Sequence, residues 1–599
     1  MQHSKQRPEE VGFVSVNDGE LTVDQVIAVA RHYARVEQFA GKKRREVEAV
    51  RKYIEDNWLS DSAPPRYSFN TGVGVLKNVR ISRDQIEKFQ ELYVKSHSVG
   101  VGEPLEIETV RASMLLQANA LSKGYSGVRV LVIDKLIEML NKRIHPVVPE
   151  QGSLGASGDL APLTHVAAVM VGEGEAEIWV GNERKELESL KDGAGNLRLI
   201  NNGEEVIFQP IRLQAKEAVS LTNATTFMLA IAVRLVHDAE ILLQDADIAA
   251  ALSLEAMMGE TGAFAEELHD LRRQPGQIAT AKNVRNLIDG SKRMTSEARV
   301  AYFNASTEKQ LKARLQNSEL ANSVDAITKY KLTHEFEKNR IQDAYSLRCV
   351  PQVHGACKDA FQFVNSVVQR ELTAVTDNPV IFRNTNVDGY ESKSGGNFHG
   401  EPLALALDFL AISLSEIASI SERRVFRMLS PAMSFGLPRN LTGGEAGLNS
   451  GYMLLQYTAA QLVSENKILS HPASVDSVPT SDNQEDHVSM GFTAACKALK
   501  VCRNVQYVLA IEFLCAVQAL HLSASEPQTS FEVFPLGKGT GVAFNYIQNF
   551  QGKSDGKTIT PFKLMRDDEF LHSQIRWMHK LVASGLIVRA LNNLELFNS

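Results

Sequence analysis

Cysteine is scarce in this sequence of 599 residues, which contains only Cys349, Cys357, Cys496, Cys502 and Cys515. Their number is odd and no two of them form a CxxC pair. This pattern favours buried, reduced thiols in a cytoplasmic protein over a disulfide framework. Motifs of the HExxH kind and closely spaced groups of Cys and His are missing as well, so the sequence predicts no metal site.

An excess of positive charge is also missing, since the formal net charge is −7 and the isoelectric point is about 6.2. This balance argues against nucleic acid as the main partner. The first residues, MQHSKQRPEEVGF, contain no apolar run, so no signal peptide is expected. The uncharged stretch 446–464 carries several Asn, Ser, Gln and Thr residues, which suit a buried bundle helix better than a membrane span. We therefore expect neither a nucleic acid nor a membrane as a partner.

Proline and glycine are rare in four long segments rich in Ala, Leu, Ile and Val: 212–258, 403–429, 451–469 and 492–522. Helices that are apolar nearly all round must be surrounded by other helices. The sequence therefore predicts a mainly α fold with a long central helix bundle, rather than a sheet covered by helices.

Three other stretches complete the predicted organisation. Alternating apolar and polar residues in 173–211 predict a minor β-hairpin or two. The segment LTVDQVIAVARHYARV predicts a helix that begins near Thr22 and Asp24 and has Tyr33 on its apolar face. The polar segment 305–340 predicts an exposed helical insertion. We expect a small, partly irregular N-terminal domain over 1–211, a central bundle over 212–540 and a C-terminal helical segment over 541–599.

The segment Gln151–Leu163, QGSLGASGDLAPL, places three glycines at intervals of three residues. It lacks the lysine of a Walker loop and does not follow a strand as a GxGxxG loop does, so phosphate binding is disfavoured. It also departs from the GxSxG pattern of serine hydrolases, because its second glycine comes one residue too early. The simplest structural interpretation is a glycine-rich turn in which Asp159 caps the following helix.

A fourth interpretation uses all three residues of Ala156-Ser157-Gly158. The amide nitrogen of Gly158 can attack the carbonyl carbon of Ala156, because glycine offers the least steric resistance in a compressed turn. Loss of water closes a five-membered ring, and a second dehydration, at Ser157, leaves an exocyclic methylene. The product, 4-methylidene-imidazol-5-one, is an electrophile that no standard side chain supplies.

Sequence blocks in a familiar order accompany this loop. The segment GSLGASGDLAPLTHVAAVMVGEGEA resembles the signature of the aromatic amino-acid ammonia-lyases, which form this electrophile from their own Ala-Ser-Gly. The resemblance spans about 67–547 and implies a helix bundle of the fumarase/aspartase type and no external cofactor. The other blocks similar to that family are YSFNTGVG, SLTNATT, QDAYSLRCVPQVHG, TDNPVIF, GGNFHGEPLA, GLNSGYMLLQYTAAQLVSENK and HPASVDSVPTSDNQEDHVSMG.

The resemblance implies catalytic roles for two tyrosines. Tyr67 is expected to remove the β-proton of the substrate, and the unperturbed pKa of tyrosine is about 10. The site must therefore favour the phenolate of Tyr67. Tyr345 is expected beside the prosthetic group, with Phe398 packed against that group.

Several other residues are expected to bind the substrate. Arg348 would pair with the α-carboxylate, because a guanidinium can bind a carboxylate through two hydrogen bonds. Asn223 would orient the same carboxylate or the amine. Gln342, Tyr345 and Arg348 follow one another at intervals of three, which would place them on one face if the segment is helical.

Two positions bear on which amino acid is bound. Ser96-His97 is similar to the pattern of histidine-specific members, whereas members specific for phenylalanine or tyrosine more often carry Phe-Leu or His-Leu there. Glu485 would accept a hydrogen bond from an imidazole N–H and stabilise positive charge on the ring. Alternatively, Glu485 and His97 form an internal polar pair.

These residues favour non-oxidative deamination of L-histidine to urocanate and ammonia. The first alternative is a phenylalanine or tyrosine ammonia-lyase or an aminomutase with the same prosthetic group, and the second is a non-catalytic helical scaffold. The resemblance also implies a homotetramer whose active sites are each assembled from three chains. Four departures from the family pattern make side-chain specificity less well defined than reaction class: Ser68 for Gly, Val73 for Phe, Ala224 for Gly and His354 for an apolar residue.

Overall fold

The computed structural model of the chain is mainly helical, and its strands are short. The mainly α architecture predicted from the sequence is therefore confirmed. The structure describes residues 7–180, 183–184, 191–192, 195–201, 204–315, 341–384, 386, 389–554, 557–559 and 562–592.

The first of two compact units comprises residues 1–237, 363–409 and 472–499. Helices within it are Val23–Arg31, Gly41–Asn57, Ile86–His97, Ile107–Ser122, Val130–Asn141, Leu160–Met170 and Glu217–Thr222. A parallel pair of short strands in it joins Phe13–Val14 to Arg35–Val36. Its antiparallel pairings are Val101–Pro104 with Pro149–Gln151, Ile144–Pro146 with Ala176–Val180, Ala176–Val180 with Glu183–Arg184, Leu197–Asn201 with Glu204–Phe208, and Val380–Asn384 with Gly389–Lys393.

The second unit comprises residues 238–362, 410–471 and 500–599. It contains a small antiparallel hairpin of Gly552–Ser554 and Lys557–Ile559. Helices within it are Glu266–Arg272, Pro275–Leu287, Ser296–Leu315, Tyr345–Arg348, Met453–Leu469, Lys538–Asn549, Leu571–Ala583 and Leu586–Asn592.

Long helices contribute residues to both units: Thr226–Ala256, Val350–Glu371, Glu401–Met428 and Gly491–Ser523. By length and composition alone, Glu401–Met428 and Gly491–Ser523 could cross a membrane, but 67% and 78% of their most apolar windows are buried inside the protein. This burial is what the core helices of a bundle require. Both helices begin and end within two residues of the apolar segments predicted from the sequence.

The predicted apolar segments 212–258 and 446–464 are helical only in part. The first contains helix Glu217–Thr222 and helix Thr226–Ala256, with Asn223 ending the shorter one. In the second, the helix begins only at Met453. The residues before Met453 include Gly447 and Gly451, both with positive φ, and the first break falls at Asn223, so both interruptions coincide with turn-forming residues.

The helix predicted near Thr22 begins with a capping box. Thr22 Oγ1 accepts from Gln25 N at 3.2 Å, and Gln25 Oε1 accepts from Thr22 N at 3.0 Å. The placement of Tyr33 was wrong, because the helix ends at Arg31 and Tyr33 has a left-handed φ of +57°. The ring of Tyr33 instead lies 4.2 Å from the guanidinium carbon of Arg111.

Two other predictions are only partly covered by the described residues. Leu197–Asn201 pairs with Glu204–Phe208, which confirms a hairpin within 173–211. The predicted insertion over 305–340 begins inside helix Ser296–Leu315, and 316–340 lie outside the described residues. The domain boundaries predicted at 211 and 540 stay predictions. Each compact unit is built from three separate stretches of the chain, so the two units do not follow one another along the sequence.

A buried ion pair joins two distant segments of the first unit. Lys216 Nζ lies 2.7 Å from Asp377 Oδ2, and the two side chains are 0% and 5% exposed. Burial lowers the pKa of Lys216, and the Asp377 carboxylate acts in the opposite direction. Lys216 Nζ also donates to Ser220 Oγ at 2.9 Å, so the start of helix Glu217–Thr222 is attached to Asp377 through side chains.

The substitution Asp377→Asn should destabilise the protein by about 3–5 kcal/mol, because it leaves the Lys216 ammonium buried without an opposite charge. Unfolding in urea measures this loss. Asp56→Asn is the matched control, because the ion pair of Asp56 with Lys52 is exposed, and its unfolding midpoint should stay close to that of the parent. Equal shifts for the two variants would contradict a structural role for the buried pair.

Candidate active site

The Ala156-Ser157-Gly158 segment forms a tight turn. Gly158 N donates to Gly155 O at 3.0 Å, and Ser157 has a left-handed φ of +54°, which is uncommon for a residue with a side chain. At Gly158, where φ is +75°, a Cβ atom would collide with the carbonyl oxygen of Ala224 and lie 2.9 Å from that of Phe398. Only glycine fits this position. A strained and closely confined turn is what the predicted cyclisation needs.

Asp159, the next residue, is fully buried and holds the turn against the start of a long helix. Its backbone N donates to Ala224 O at 2.7 Å. Its Oδ2 accepts from Phe227 N at 2.8 Å and Met228 N at 3.0 Å, in the first turn of helix Thr226–Ala256. The predicted cap on the helix following Asp159 was therefore wrong, because the carboxylate caps a different helix. Burial raises the pKa of Asp159 to about 7, and the two backbone donors oppose this rise.

The segment from Glu485 to Met490 lies against the other side of the turn. Met490 N donates to Leu154 O at 3.0 Å, and a Cβ atom at Gly155 would lie 2.5 Å from Ser489 Oγ. Glu485 begins this segment after a tight loop, in which Thr480 N donates to Glu485 O at 3.0 Å. Oε2 of Glu485 is buried and receives no hydrogen bond. A buried carboxylate oxygen without a donor is costly, so this oxygen is available to a ligand.

Tyr67 is half-buried close to Glu485. Its hydroxyl oxygen accepts from Gly74 N at 3.1 Å, and Glu485 Oε1 lies 3.6 Å from where a Cβ atom of Gly74 would be. Burial raises the pKa of Tyr67, the Gly74 N–H lowers it, and the charge of Glu485 raises it further. In this chain the net effect is opposite to the lowered pKa expected from the sequence. Ser68, which departs from the family glycine, has the left-handed φ of +62° that glycine adopts readily.

His97 ends helix Ile86–His97, and its ring stacks on Tyr93 with centroids 3.9 Å apart. Its Nδ1 lies 2.8 Å from Tyr93 O, a carbonyl that can only accept. We therefore assign the ring proton to Nδ1, which leaves Nε2 as a hydrogen-bond acceptor. Burial lowers the pKa of His97, so the neutral ring is favoured. Ser96 Oγ also lies 2.9 Å from Nδ1, so the described partners of His97 are Tyr93 and Ser96, not Glu485.

Asn223 is buried between the turn and the ion pair of Asp377. Its Nδ2 donates to Asn378 O at 3.1 Å and to Asp377 Oδ1 at 3.4 Å. Both amide hydrogens are thus used within the protein, and the side-chain oxygen remains as an acceptor. Phe398 is half-buried, and its carbonyl oxygen faces Gly158 as described above.

Comparison with known proteins shows the family to which the chain belongs. The sequence profile described as "Aromatic amino acid lyase" matches residues 21–540, which is most of the chain. The chain belongs to the aromatic amino acid lyase family. It is an enzyme of the carbon–nitrogen lyase class. The lyase is 41% identical over 577 residues to a histidine ammonia-lyase from Alkaliphilus oremlandii, covering 96% of this chain and 97% of that relative.

Solved structures share the fold of the lyase. A tyrosine aminomutase from Streptomyces globisporus is similar with a TM-score of 0.79 and 31% sequence identity, covering 97% of this chain and 98% of that one. A histidine ammonia-lyase from Trypanosoma cruzi has a TM-score of 0.76 and 32% identity, covering 97% of this chain and 95% of that one. The helix bundle of the ammonia-lyase type predicted from the sequence is thereby confirmed.

Three predicted site residues of the lyase lie in its second unit. Gln342 precedes the helix Tyr345–Arg348, so the prediction that Gln342 shares a helical face with Tyr345 and Arg348 was wrong. Tyr345 is 71% exposed. Arg348 Nε donates to Asp343 O at 3.0 Å, and its guanidinium carbon lies 4.8 Å from the Tyr345 ring centre.

His354, another departure from the family pattern, has a structural partner in the second unit. It is fully buried, and its Nδ1 lies 2.9 Å from Asp247 Oδ1. Lys358 also contacts the Asp247 carboxylate. The imidazole therefore belongs to a buried polar group through Nδ1, whereas its Nε2 is buried without a hydrogen-bond partner.

The fold of the lyase also assembles a group of side chains that no sequence motif indicates. His399, Glu401 and His487 each offer a possible ligand atom, and these atoms all lie within 4.8 Å of one another. His399 and Glu401 are separated by one residue, but His487 is far away in the sequence. Since no short motif contains all three residues, only the spacing His-x-Glu could have hinted at the group.

Proposed function

We propose that this lyase deaminates L-histidine to urocanate and ammonia. The observation that carries the proposal is the position of the segment Glu485–Met490. This segment lies beside both the Ala156-Ser157-Gly158 turn and Tyr67. Met490 hydrogen-bonds Leu154 beside the turn, and Glu485 lies near Tyr67 with an unpartnered Oε2. An imidazole N–H is a suitable donor to that oxygen. The relative from Alkaliphilus oremlandii, named a histidine ammonia-lyase, supports the same substrate.

Ala156, Ser157 and Gly158 are proposed to form 4-methylidene-imidazol-5-one. The residues present fit this group, because Gly158 has no space for a Cβ atom and Ser157 is held in a left-handed conformation. The group supplies an electrophile that makes the substrate amine a better leaving group. Asp159 and Ala224 would keep the turn in place through the hydrogen bond between Asp159 N and Ala224 O.

Tyr67 is proposed to remove the β-proton. The Gly74 N–H, which donates to the Tyr67 hydroxyl oxygen, would also stabilise a phenolate there. Burial and the negative charge of Glu485 oppose that phenolate. A substrate imidazole bound to Glu485 would partly offset this charge, so histidine itself would make Tyr67 a better base.

His97, Glu485 and Asn223 are proposed to orient the substrate. His97 Nε2 can accept from an imidazole N–H, because its Nδ1 is already used by Tyr93 O. Glu485 Oε2 can accept from the other ring nitrogen when the substrate ring is an imidazolium, in which both nitrogens carry a proton. The oxygen of Asn223 suits the substrate ammonium rather than its carboxylate, because both amide hydrogens donate to Asp377 and Asn378. Arg348 is proposed to bind the α-carboxylate of the substrate.

Arg348, Tyr345 and Gln342 are proposed to act in a homotetramer whose active sites are each built from three chains. The 71% exposure of Tyr345 supports this assembly, because a catalytic tyrosine needs a more enclosed environment. Apolar side chains exposed on the long helices also favour burial against other copies. Among them are Leu405, Phe409, Ile412, Leu454, Tyr457 and Ile468.

A cytoplasmic location is proposed on the basis of the thiols. Cys349, Cys357 and Cys515 are not in disulfides. Burial raises the pKa of the Cys357 thiol to about 12, so this group stays protonated and unreactive. Such thiols suit a reducing compartment.

The alternative function is another reaction of the same site: a phenylalanine or tyrosine ammonia-lyase or an aminomutase. The similarity to the tyrosine aminomutase from Streptomyces globisporus supports this alternative. A non-catalytic scaffold is set aside, because the chain belongs to a family of enzymes.

Incubation with histidine, phenylalanine and tyrosine separately should give an ultraviolet signal of the unsaturated acid from histidine alone.

Ser157→Ala should abolish the ultraviolet signal from histidine, since no hydroxyl is left to eliminate. The control Ser62→Ala, at an exposed serine, should keep full activity. Glu485→Gln should lower kcat/KM for histidine at least about tenfold, because the hydrogen-bond acceptor loses its negative charge. Turnover of tyrosine or phenylalanine without urocanate would assign the alternative function.

The substitution Tyr67→Phe should lower kcat about 10²–10⁴-fold, the usual contribution of a general base. Because burial raises the pKa of Tyr67, the protonated form dominates at neutral pH, and kcat/KM of the parent should rise as pH increases. Tyr67→Phe should remove this rise. Tyr125→Phe, at an exposed tyrosine, is the control and should keep the parent profile. An unchanged pH profile in Tyr67→Phe would assign the base to another residue.

A further inference from the structure

A group of metal-ligating side chains lies in the first unit, beside the wall of the turn. His399 and Glu401 stand at the start of helix Glu401–Met428, and His487 lies in the segment that follows Glu485. His399 Nδ1 is 4.0 Å from Glu401 Oε2. The two imidazole rings are stacked with centroids 5.7 Å apart and an interplanar angle of 29°. The three side chains thus converge from two distant segments of the sequence.

The tautomer of His399 follows from its other nitrogen. Nε2 lies 3.3 Å from His487 O, and a backbone carbonyl can only accept a hydrogen bond. Nε2 therefore carries a proton, and Nδ1 faces the Glu401 carboxylate. A histidine that ligates a metal is commonly oriented in this way, with the second ring nitrogen donating to a carbonyl.

The carboxylate of Glu401 also lacks a partner. Its Oε2 is buried and receives no hydrogen bond, although it faces His399 Nδ1 at 4.0 Å. The 4.0 Å distance is too long for a hydrogen bond, so His399 does not satisfy this oxygen. A cation bound by both atoms would satisfy it.

We propose that His399, Glu401 and His487 bind a divalent transition-metal ion of the zinc class. Two imidazole nitrogens and one carboxylate oxygen are a ligand set typical of zinc, with a fourth position open to water. Ligand atoms held about 2.1 Å from one tetrahedral ion lie about 3.4 Å apart. The 4.0 Å between His399 Nδ1 and Glu401 Oε2 would shorten by about 0.6 Å on binding. The exposed His487 side chain has room to move inward.

The bound ion would position the wall of the active site and take no part in the chemical steps. Phe398, next to His399, has its carbonyl oxygen against Gly158. Ser489, two residues after His487, contacts Gly155. A metal that joins His399 to His487 would therefore fix the two segments that confine the turn on either side.

Metal binding should be measured on the full chain carrying Ser157→Ala, so that the result does not depend on lyase activity. After removal of metal by a chelator, titration with Zn²⁺ should show one saturable site per chain, and Co²⁺ should give the visible absorption of a four- or five-coordinate ion. Glu401→Gln should weaken binding more than about tenfold, since even outer partners of a metal contribute 10–100-fold. His572→Ala, at an exposed histidine outside the group, should leave binding unchanged.

The proposal is overturned if the titration shows no saturable site, or if Glu401→Gln and His572→Ala bind Zn²⁺ equally well. A Co²⁺ spectrum identical to that of the hydrated ion would overturn it too. Circular dichroism shows whether Glu401→Gln is folded. If it is not, His487→Ala replaces it, because the His487 side chain is exposed and its removal leaves no buried cavity. Retention of the parent affinity in His487→Ala would then exclude the site.

Discussion

The close approach of Gly158 to the carbonyl oxygen of Ala224 is the constraint on which the rest of the site depends. It leaves no space for a side chain, and it brings the turn against the start of helix Thr226–Ala256. Asp159 secures the same contact from the next position, through its backbone N–H and its carboxylate. A reaction of the backbone with itself needs such confinement, because a freely moving chain would have to lose much conformational entropy to reach the same geometry.

The polar groups around this turn divide into those that are satisfied within the chain and those that are not. Asn223, Asp377 and Lys216 form a buried network in which each polar side chain has a partner. Oε2 of Glu485, Oε2 of Glu401 and Oδ1 of Asp159 are buried without a donor. Unpaired buried oxygens are costly. Burial raises the pKa of Asp159 to about 7, so a proton can satisfy its oxygen, whereas we assign ligands to the two glutamates. The first oxygen fits a substrate imidazole, and the second fits a cation.

The sequence predicted the helices well where local pattern decides the structure. Helices Glu401–Met428 and Gly491–Ser523 follow uninterrupted apolar segments, so their ends were predicted within two residues. Predictions failed where distant contacts decide. Asp159 does not cap the helix that follows it. Its carboxylate accepts from Phe227 N and so caps a helix that begins 67 residues further on. His487 joins His399 and Glu401 only after folding, so no spacing in the sequence includes all three residues.

The family blocks predicted the reaction class because the cyclising tripeptide is local in sequence. They did not predict the electrostatics of Tyr67, because the effects of burial and of Glu485 on its pKa arise only in the folded chain. They also could not show that the amide hydrogens of Asn223 are used by Asp377 and Asn378. The properties of Tyr67 and Asn223 therefore depend on the neighbouring residues that contact them in the folded chain.

The most direct measurement is the intact mass of the purified chain. Cyclisation at Gly158 and dehydration at Ser157 each release one water, so the chain should be lighter by two waters than the mass of about 66.0 kDa calculated from its sequence. Fragmentation should place the whole loss on Ala156-Ser157-Gly158. A chain that retains its full unmodified mass would contradict the central claim that this turn is the precursor of the electrophile.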